Sequence, residues 1–148
     1  MRHDSRLSRV LHALLHLDQM TEPATSELIA SMLGTNAAVV RRTMAGLRAA
    51  GIVTSTKGHR GGLSLAKPLD DISLLDIYTA LGSPALFAIG NDEDEPKCML
   101  ARAANAATMQ ALEAARREFE DKLRATSVAE LTADRRPEMV TCGSMEHR

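Results

Sequence analysis

The sequence has no tryptophan, one tyrosine and two phenylalanines among its 148 residues. A core drawn from this set rests on Leu, Ile, Val, Met and Ala, which favours helices over a β-sandwich. Cysteine is nearly absent as well. Cys98 and Cys142 are too few and too ill-placed for a disulfide framework, so a reducing, cytoplasmic setting is expected. No apolar run approaches the roughly 20 residues that span a bilayer. Arg2, Asp4, Arg6, Arg9 and His12 break any apolar signal segment at the amino terminus, and no membrane partner is expected. No glycine-rich loop ends in GK[ST], and no nucleophile–base pair or metal set is visible, which argues against an enzyme.

What is present is 45% hydrophobic residues, enough for one ordinary core with an appendage. The net charge of −1 hides an asymmetry. Residues 1–67 hold nine Lys/Arg against four Asp/Glu, while residues 68–148 hold nine against fifteen. A basic first part joined to an acidic remainder suggests that only the first part meets nucleic acid.

Leu7, Val10, Leu11, Leu14 and Leu15 recur at helical spacing and predict a core-facing stripe over 5–17. His12 and His16 stand four apart, a spacing that offers two imidazoles to one metal. With no third ligand nearby, they read as surface histidines beside that stripe. After the break at Thr21-Glu22-Pro23-Ala24, Thr25 or Ser26 is an N-cap for a helix over 27–33, with Leu28, Ile29, Met32 and Leu33 inward. Gly34 is the turn residue, since the backbone there needs positive φ. A second helix over 36–50 begins at Thr35 or Asn36 and stops at Gly51, with Val39, Val40, Met44 and Leu47 buried.

This second helix carries Asn36, Ala37, Ala38, Arg41 and Arg42 on its outward amino-terminal portion. A helix that enters a major groove about 12 Å wide needs small residues near base edges and long cations near phosphates. Asn can pair with adenine and Arg with guanine, although Arg is common on any solvated face. A β-branched run, 52–56, and the alternating Leu63-Ser64-Leu65 follow. Between them lies Lys57-Gly58-His59-Arg60-Gly61-Gly62. Its cations can hold phosphates or enter a minor groove, and its glycines permit a tight hairpin. Helix, turn, helix and basic hairpin in that order are the pattern of a winged helix-turn-helix. After Pro68, Ser73 to Asp76 reads as a capping-box start for a short helix through Leu81, ended by Gly82-Ser83-Pro84.

The run GIVTSTKGHRGGLSLAKPLDDISLLDIYTALGSP, with the helix-turn-helix before it, closely resembles the Rrf family of bacterial winged-helix regulators over roughly residues 5 to 130. The resemblance implies a homodimeric transcription factor, usually a repressor, with a long dimerisation helix. By position it carries DNA contact onto Asn36, Ala38, Arg41, Lys57, Gly58 and His59. Cluster-binding relatives have three cysteines spaced by five residues. Here Cys98 matches the last, while Asp92 and Leu86 stand at the other two positions and Ala101 stands where a nearby histidine can serve as a further ligand. One thiolate cannot hold an iron–sulfur cluster, which takes four protein ligands, so no cluster is expected.

Gly90 to Glu95 reads as a solvated acidic loop. Cys98 is a candidate redox or electrophile sensor if it opens a helix; the alternative is a small half-buried residue. From Met99 to Ala125 the chain is Ala-rich. Leu100, Ala104, Ala107, Ala111, Leu112, Ala115, Phe119 and Leu123 form an apolar stripe, and Glu113–Arg117, Glu118–Lys122 and Glu120–Arg124 are spaced as ion pairs. That stripe needs another helix, in a second copy or on the first domain. Ser127 to Glu130 reads as a capping box for a last short helix, and the tail from Arg135, which includes Cys142, has no periodicity.

The expected fold is therefore mainly α with a small β wing: a winged helix-turn-helix over 1–82, an acidic loop over 83–98, a dimerisation helix and short terminal helix over 99–134, and a tail over 135–148. The expected function is a homodimeric DNA-binding repressor that reads a (pseudo)palindromic operator on duplex DNA, answers a small-molecule or redox effector, and uses helix 36–50 and wing 57–62. The candidate DNA-binding set is Thr25, Ser26, Asn36, Ala38, Arg41, Arg42, Lys57, Gly58, His59 and Arg60. A winged-helix module that binds protein instead of DNA is the alternative, and salt-dependent binding to duplex DNA separates the two.

Overall fold

The structure, a computed structural model, describes residues 3–90 and 97–133. In chain order it has α1 (Arg6–Gln19), α2 (Ser26–Leu33), α3 (Ala37–Ala49), β1 (Val53–Thr56), β2 (Gly62–Leu65), a 3-10 turn (Leu69–Asp71), α4 (Leu74–Ala80), α5 (Met99–Arg124) and a second 3-10 turn (Ala129–Thr132). The fold is mainly α with one antiparallel hairpin, in which Val53 pairs with Leu65 and Thr56 with Gly62.

One apolar cluster joins these elements. Val10 and Leu14 of α1, Ile29 of α2, Leu47 of α3, Ile52, Ile72 and Ile77 are essentially inaccessible. Each such side chain contributes about 1.5–3 kcal/mol by leaving water. In α1 the stripe expected from Leu7, Leu11 and Leu15 lies only partly buried at the edge of the core, whose centre is taken by Val10, Ala13, Leu14 and Leu17. Leu28 was expected inward but is 41% exposed, and Ala30 is buried instead. The reason lies just upstream. Ala24 makes a two-way backbone bridge with Leu63, 2.9 and 2.8 Å, and this fixes the rotation of α2 so that Ile29 and Ala30 meet the core.

α4 begins in a reciprocal capping box, with Asp76 N donating to Ser73 Oγ at 3.0 Å and Ser73 N donating to Asp76 Oδ2 at 2.8 Å. The carboxylate thus serves the helix end, as expected.

Two expectations for the carboxy-terminal part need correction. The segment after α5, grouped by sequence with the long helix in 99–134, returns to the winged unit. Leu74 N donates to Thr126 O at 2.9 Å, Val128 N donates to Ile72 O at 2.8 Å, and Val128 is fully buried. It forms a 3-10 turn in which Glu130 N meets Ser127 Oγ at 3.4 Å. Of the expected ion pairs, only Glu113–Arg117 forms, at 3.1 Å. Glu120 pairs with Arg116 at 3.0 Å, and Arg124 takes Asp121.

The expected stripe of α5 is largely bare. Leu123 is buried and Leu112 and Phe119 are half-buried. Leu100 is 81% exposed, and Ala104, Ala107, Ala111 and Ala115 are exposed too. The acidic residues 92–95, with Asp92 among them, and the tail with Cys142 lie outside the described residues.

Candidate nucleic-acid interface

The site is assembled from the two ends of a helix-turn-helix and the hairpin beyond it. Thr25 has extended backbone angles, and its Oγ1 accepts from Leu28 N at 3.1 Å, which satisfies one of the free amides at the start of α2. Its hydroxyl proton remains available to an acceptor such as a phosphate oxygen. Ser26 follows, half-buried. α2 ends at Gly34, φ 62°, and Thr35 N closes back onto Ala30 O at 2.9 Å. This left-handed residue turns the chain into α3.

Asn36 caps α3, with Oδ1 accepting from Val39 N at 3.0 Å. The cap uses the oxygen that two-point pairing with adenine would need. While it holds, Asn36 presents only its amide donors. Ala38, Arg41 and Arg42 are exposed beyond it. Arg41 reaches back across the motif to Glu27 of α2, Nη1 to Oε1, at 3.2 Å. Arg42 makes no ion pair among the described residues. α3 ends where expected: Gly51 has φ 73° and Ile52 N reaches Leu47 O at 3.0 Å.

The hairpin tip places Lys57, Gly58, His59 and Arg60 in solvent, all exposed. Gly58, φ 99°, makes the turn, and its carbonyl accepts from Arg60 N at 3.2 Å and Gly61 N at 3.0 Å. Arg60 itself has φ 134°, a conformation costly to a side-chain-bearing residue. Gly61 and Gly62 are required for a different reason, which is space. A Cβ on Gly61 would lie 2.3 Å from Thr56 O, and one on Gly62 would lie 2.5 Å from Ala24 O.

Between α3 and the hairpin runs a cleft of about 290 Å³, walled by Arg41 and Arg48 of α3, Ser26 of α2 and Ser55 of β1. Arg48 and Ser55 were not singled out from sequence. The signal was available for Arg48, which lies seven residues beyond Arg41 and so on the same helical face.

Cys98 is the residue before α5, exposed and not half-buried. The amides of Ala101 and Leu100 at the helix start hold its thiol below the ordinary range. It lies outside the DNA-facing set. His12 and His16 meet ring to ring, Nε2 to Nε2 at 2.9 Å. No group of three or more His, Cys, Asp or Glu suited to a metal occurs among the described residues, and no helix there is long and apolar enough to cross a membrane.

Comparison with known proteins places this geometry. The Rrf2 profile, described as iron-dependent transcriptional regulator, matches residues 3–134. YwnA of Bacillus subtilis (strain 168), assigned as an HTH-type transcriptional regulator, is 36% identical over 129 residues, covering 86% of this chain and 95% of that protein. Among solved structures, a protein described as DNA-binding superposes with TM-score 0.71 at 33% identity, covering 86% of this chain and 99% of its own. The IscR of T. potens shares the fold, with TM-score 0.66 at 20% identity over 100% of this chain and 93% of its own.

The iron in the family description finds no matching donor set among the described residues. Leu86, at the first of the three cysteine positions, is an apolar side chain that lines a hollow against α5, and Ala101 offers no imidazole. Cys98 is a single soft ligand where a cluster needs four. Profile, relatives and fold agree on a winged-helix transcriptional regulator. The chain belongs to the Rrf2 family of transcriptional regulators, which are not enzymes.

Proposed function

We propose that the protein acts in the cytoplasm as a homodimeric repressor that needs no iron–sulfur cluster and binds a (pseudo)palindromic operator. The observation that carries this reading is the cleft between α3 and the wing, with cations on both banks: Arg41 and Arg48 on one side, Lys57 and Arg60, with His59 between them, at the tip beyond the other. Ala38, Arg41 and Arg42 face the base edges. Thr25, Ser26 and the wing hold phosphates on either side. The bare stripe Leu100, Ala104, Ala107, Ala111 and Ala115 of α5 supports pairing with a second copy of the same helix. Two reading helices would then stand about 34 Å apart, one helical turn of duplex.

The mechanism is positioning. Occupation of the operator blocks access to it, and an effector acts by favouring one spacing of the two reading heads over another. Selection of bound genomic duplex fragments at low ionic strength, with the mass in solution measured in parallel, tests it. A two-fold symmetric consensus bound by a dimer is expected. A strictly monomeric protein that ignores every duplex would overturn the reading.

A further inference from the structure

A hollow of about 250 Å³ lies between the loop 83–90 and α5, far along the chain from the DNA-facing residues. Its floor is Tyr78 of α4. Its walls include Leu86 and Phe87 of the loop and Met109 and Leu112 of α5. Phe87 is 48% exposed and Met109 50%, so apolar surface at the mouth has no full cover among the described residues. The volume approaches the small-molecule range, which begins at about 300 Å³.

The charge lining the hollow is unbalanced. Glu113 and Glu120 both line it against one cation, Arg116, which they hold at 2.8 and 3.0 Å. Arg117 reaches Glu113 from the solvent side at 3.1 Å, is 73% exposed and does not line the hollow. Tyr78 feels the imbalance: burial first, and then Glu120, push its hydroxyl above the ordinary value. Two aromatic rings, Tyr78 and Phe87, add negative faces that attract cations.

We propose that this hollow is an effector site for a small organic cation with an apolar body. The ammonium would sit against Glu113 and Glu120, and the body would fill the space beside Leu86, Phe87 and Leu112. The fold supplies a route to DNA. Tyr78 belongs to α4, whose Ala80 carbonyl presses on α3 so closely that a Cβ on Gly46 would lie 2.6 Å from it. An occupant that moves α4 therefore moves the reading helix. The regulatory part of this inference rests on the DNA-binding reading above; the binding part does not.

The test uses the full chain without DNA, so that it succeeds or fails independently of operator binding. Tyr78 is the one tyrosine and there is no tryptophan, so tyrosine emission reports the hollow. Cyclohexylmethylammonium and neutral cyclohexylmethanol, neither absorbing where tyrosine does, are the probes. A saturable change is expected with the ammonium, and binding about tenfold weaker with the alcohol, as loss of a cation–π and carboxylate contact implies. Glu120→Gln and, separately, Glu113→Gln should weaken the ammonium by a similar factor, with the circular dichroism spectrum unchanged. Equal binding of the two probes, absence of a saturable change, or indifference of both variants would overturn the proposal.

Discussion

The guanidinium of Arg41 is held 3.2 Å from the carboxylate of Glu27, which ties the middle of the reading helix to the helix before it. The side chains are 59% and 72% exposed, so the pair adds little to stability, at most about 1 kcal/mol. Its consequence is for DNA. In the free protein the bridge withholds a cation that a duplex would otherwise recruit. Glu27→Gln releases Arg41 and removes a negative charge from the interface. Affinity for the operator should rise a few-fold at low salt, and by more than affinity for random duplex, because the freed Arg41 is placed for base edges. Equal gains on both DNAs would mean that Arg41 does not read bases.

In the proposed interface, base-reading and phosphate-holding residues should separate by alanine substitution. Arg41→Ala removes a base-edge reader and is expected to reduce discrimination between operator and random duplex by about 1–3 kcal/mol. Lys57→Ala and Arg48→Ala remove cations placed for phosphate and should weaken both kinds of duplex by the same factor. Competition titrations with the two DNAs measure this directly. Equal losses on both DNAs for all three variants would refute the division of labour.

The wing carries two opposed backbone demands. Arg60 holds φ 134° where a glycine would be at ease, a cost of order 1–3 kcal/mol. Arg60→Gly should therefore raise the melting temperature while lowering DNA affinity through loss of the cation. Gly62→Ala should do the reverse to the fold, because its Cβ would lie 2.5 Å from the backbone of Ala24. That collision breaks the bridge that sets the rotation of α2. Thermal melts of the two variants should thus shift in opposite directions.

Much of this arrangement is legible in the sequence, because local rules fix it. Gly34 and Gly51 end helices by left-handed turns, Ser73 and Asp76 form their box, and Lys57 to Gly62 make the hairpin tip. What sequence missed depends on contacts between distant segments. Leu28 faces solvent because Ala24 pairs with Leu63, 39 positions away by the numbering. The 126–133 segment rejoins the winged unit through Ile72 and Leu74, which periodicity cannot report. Asn36 illustrates a third limit. Its residue type fits both an adenine reader and an N-cap, and only the geometry shows its oxygen on Val39 N.

His16 gives the protein an acid limit. It is half-buried against α1's own His12, and burial first, then the charge of His12, hold its pKa below the usual 6.5. The folded state thus prefers the neutral ring. Its contribution is complete above pH 6.5 and is lost as pH falls through that value towards the folded pKa, because the unfolded chain takes up a proton that the folded one resists. Urea midpoints should fall from pH 7.5 to pH 5.5, and His16→Gln should flatten that fall. A variant as pH-dependent as the parent would remove His16 from the account.

In the proposed dimer α5 is the element on which pairing would depend, and its burial pattern makes the test clean. Leu100 and Ala107 are exposed in the single chain, so Leu100→Glu and Ala107→Glu meet only solvent among the described residues. Neither should lower the melting temperature through lost intrachain packing. In a helix pair the same carboxylates would face their copies across an apolar seam, where charge is costly to bury. Sedimentation should show monomers for both variants and a dimer for the parent. Operator affinity should collapse by several orders of magnitude because two half-sites no longer bind together. By contrast Leu123→Ala, at the buried end of α5, should cost about 2–5 kcal/mol of fold stability. If the glutamate variants stay dimeric, the subunits meet elsewhere, and the spacing of the reading helices must be set by another surface.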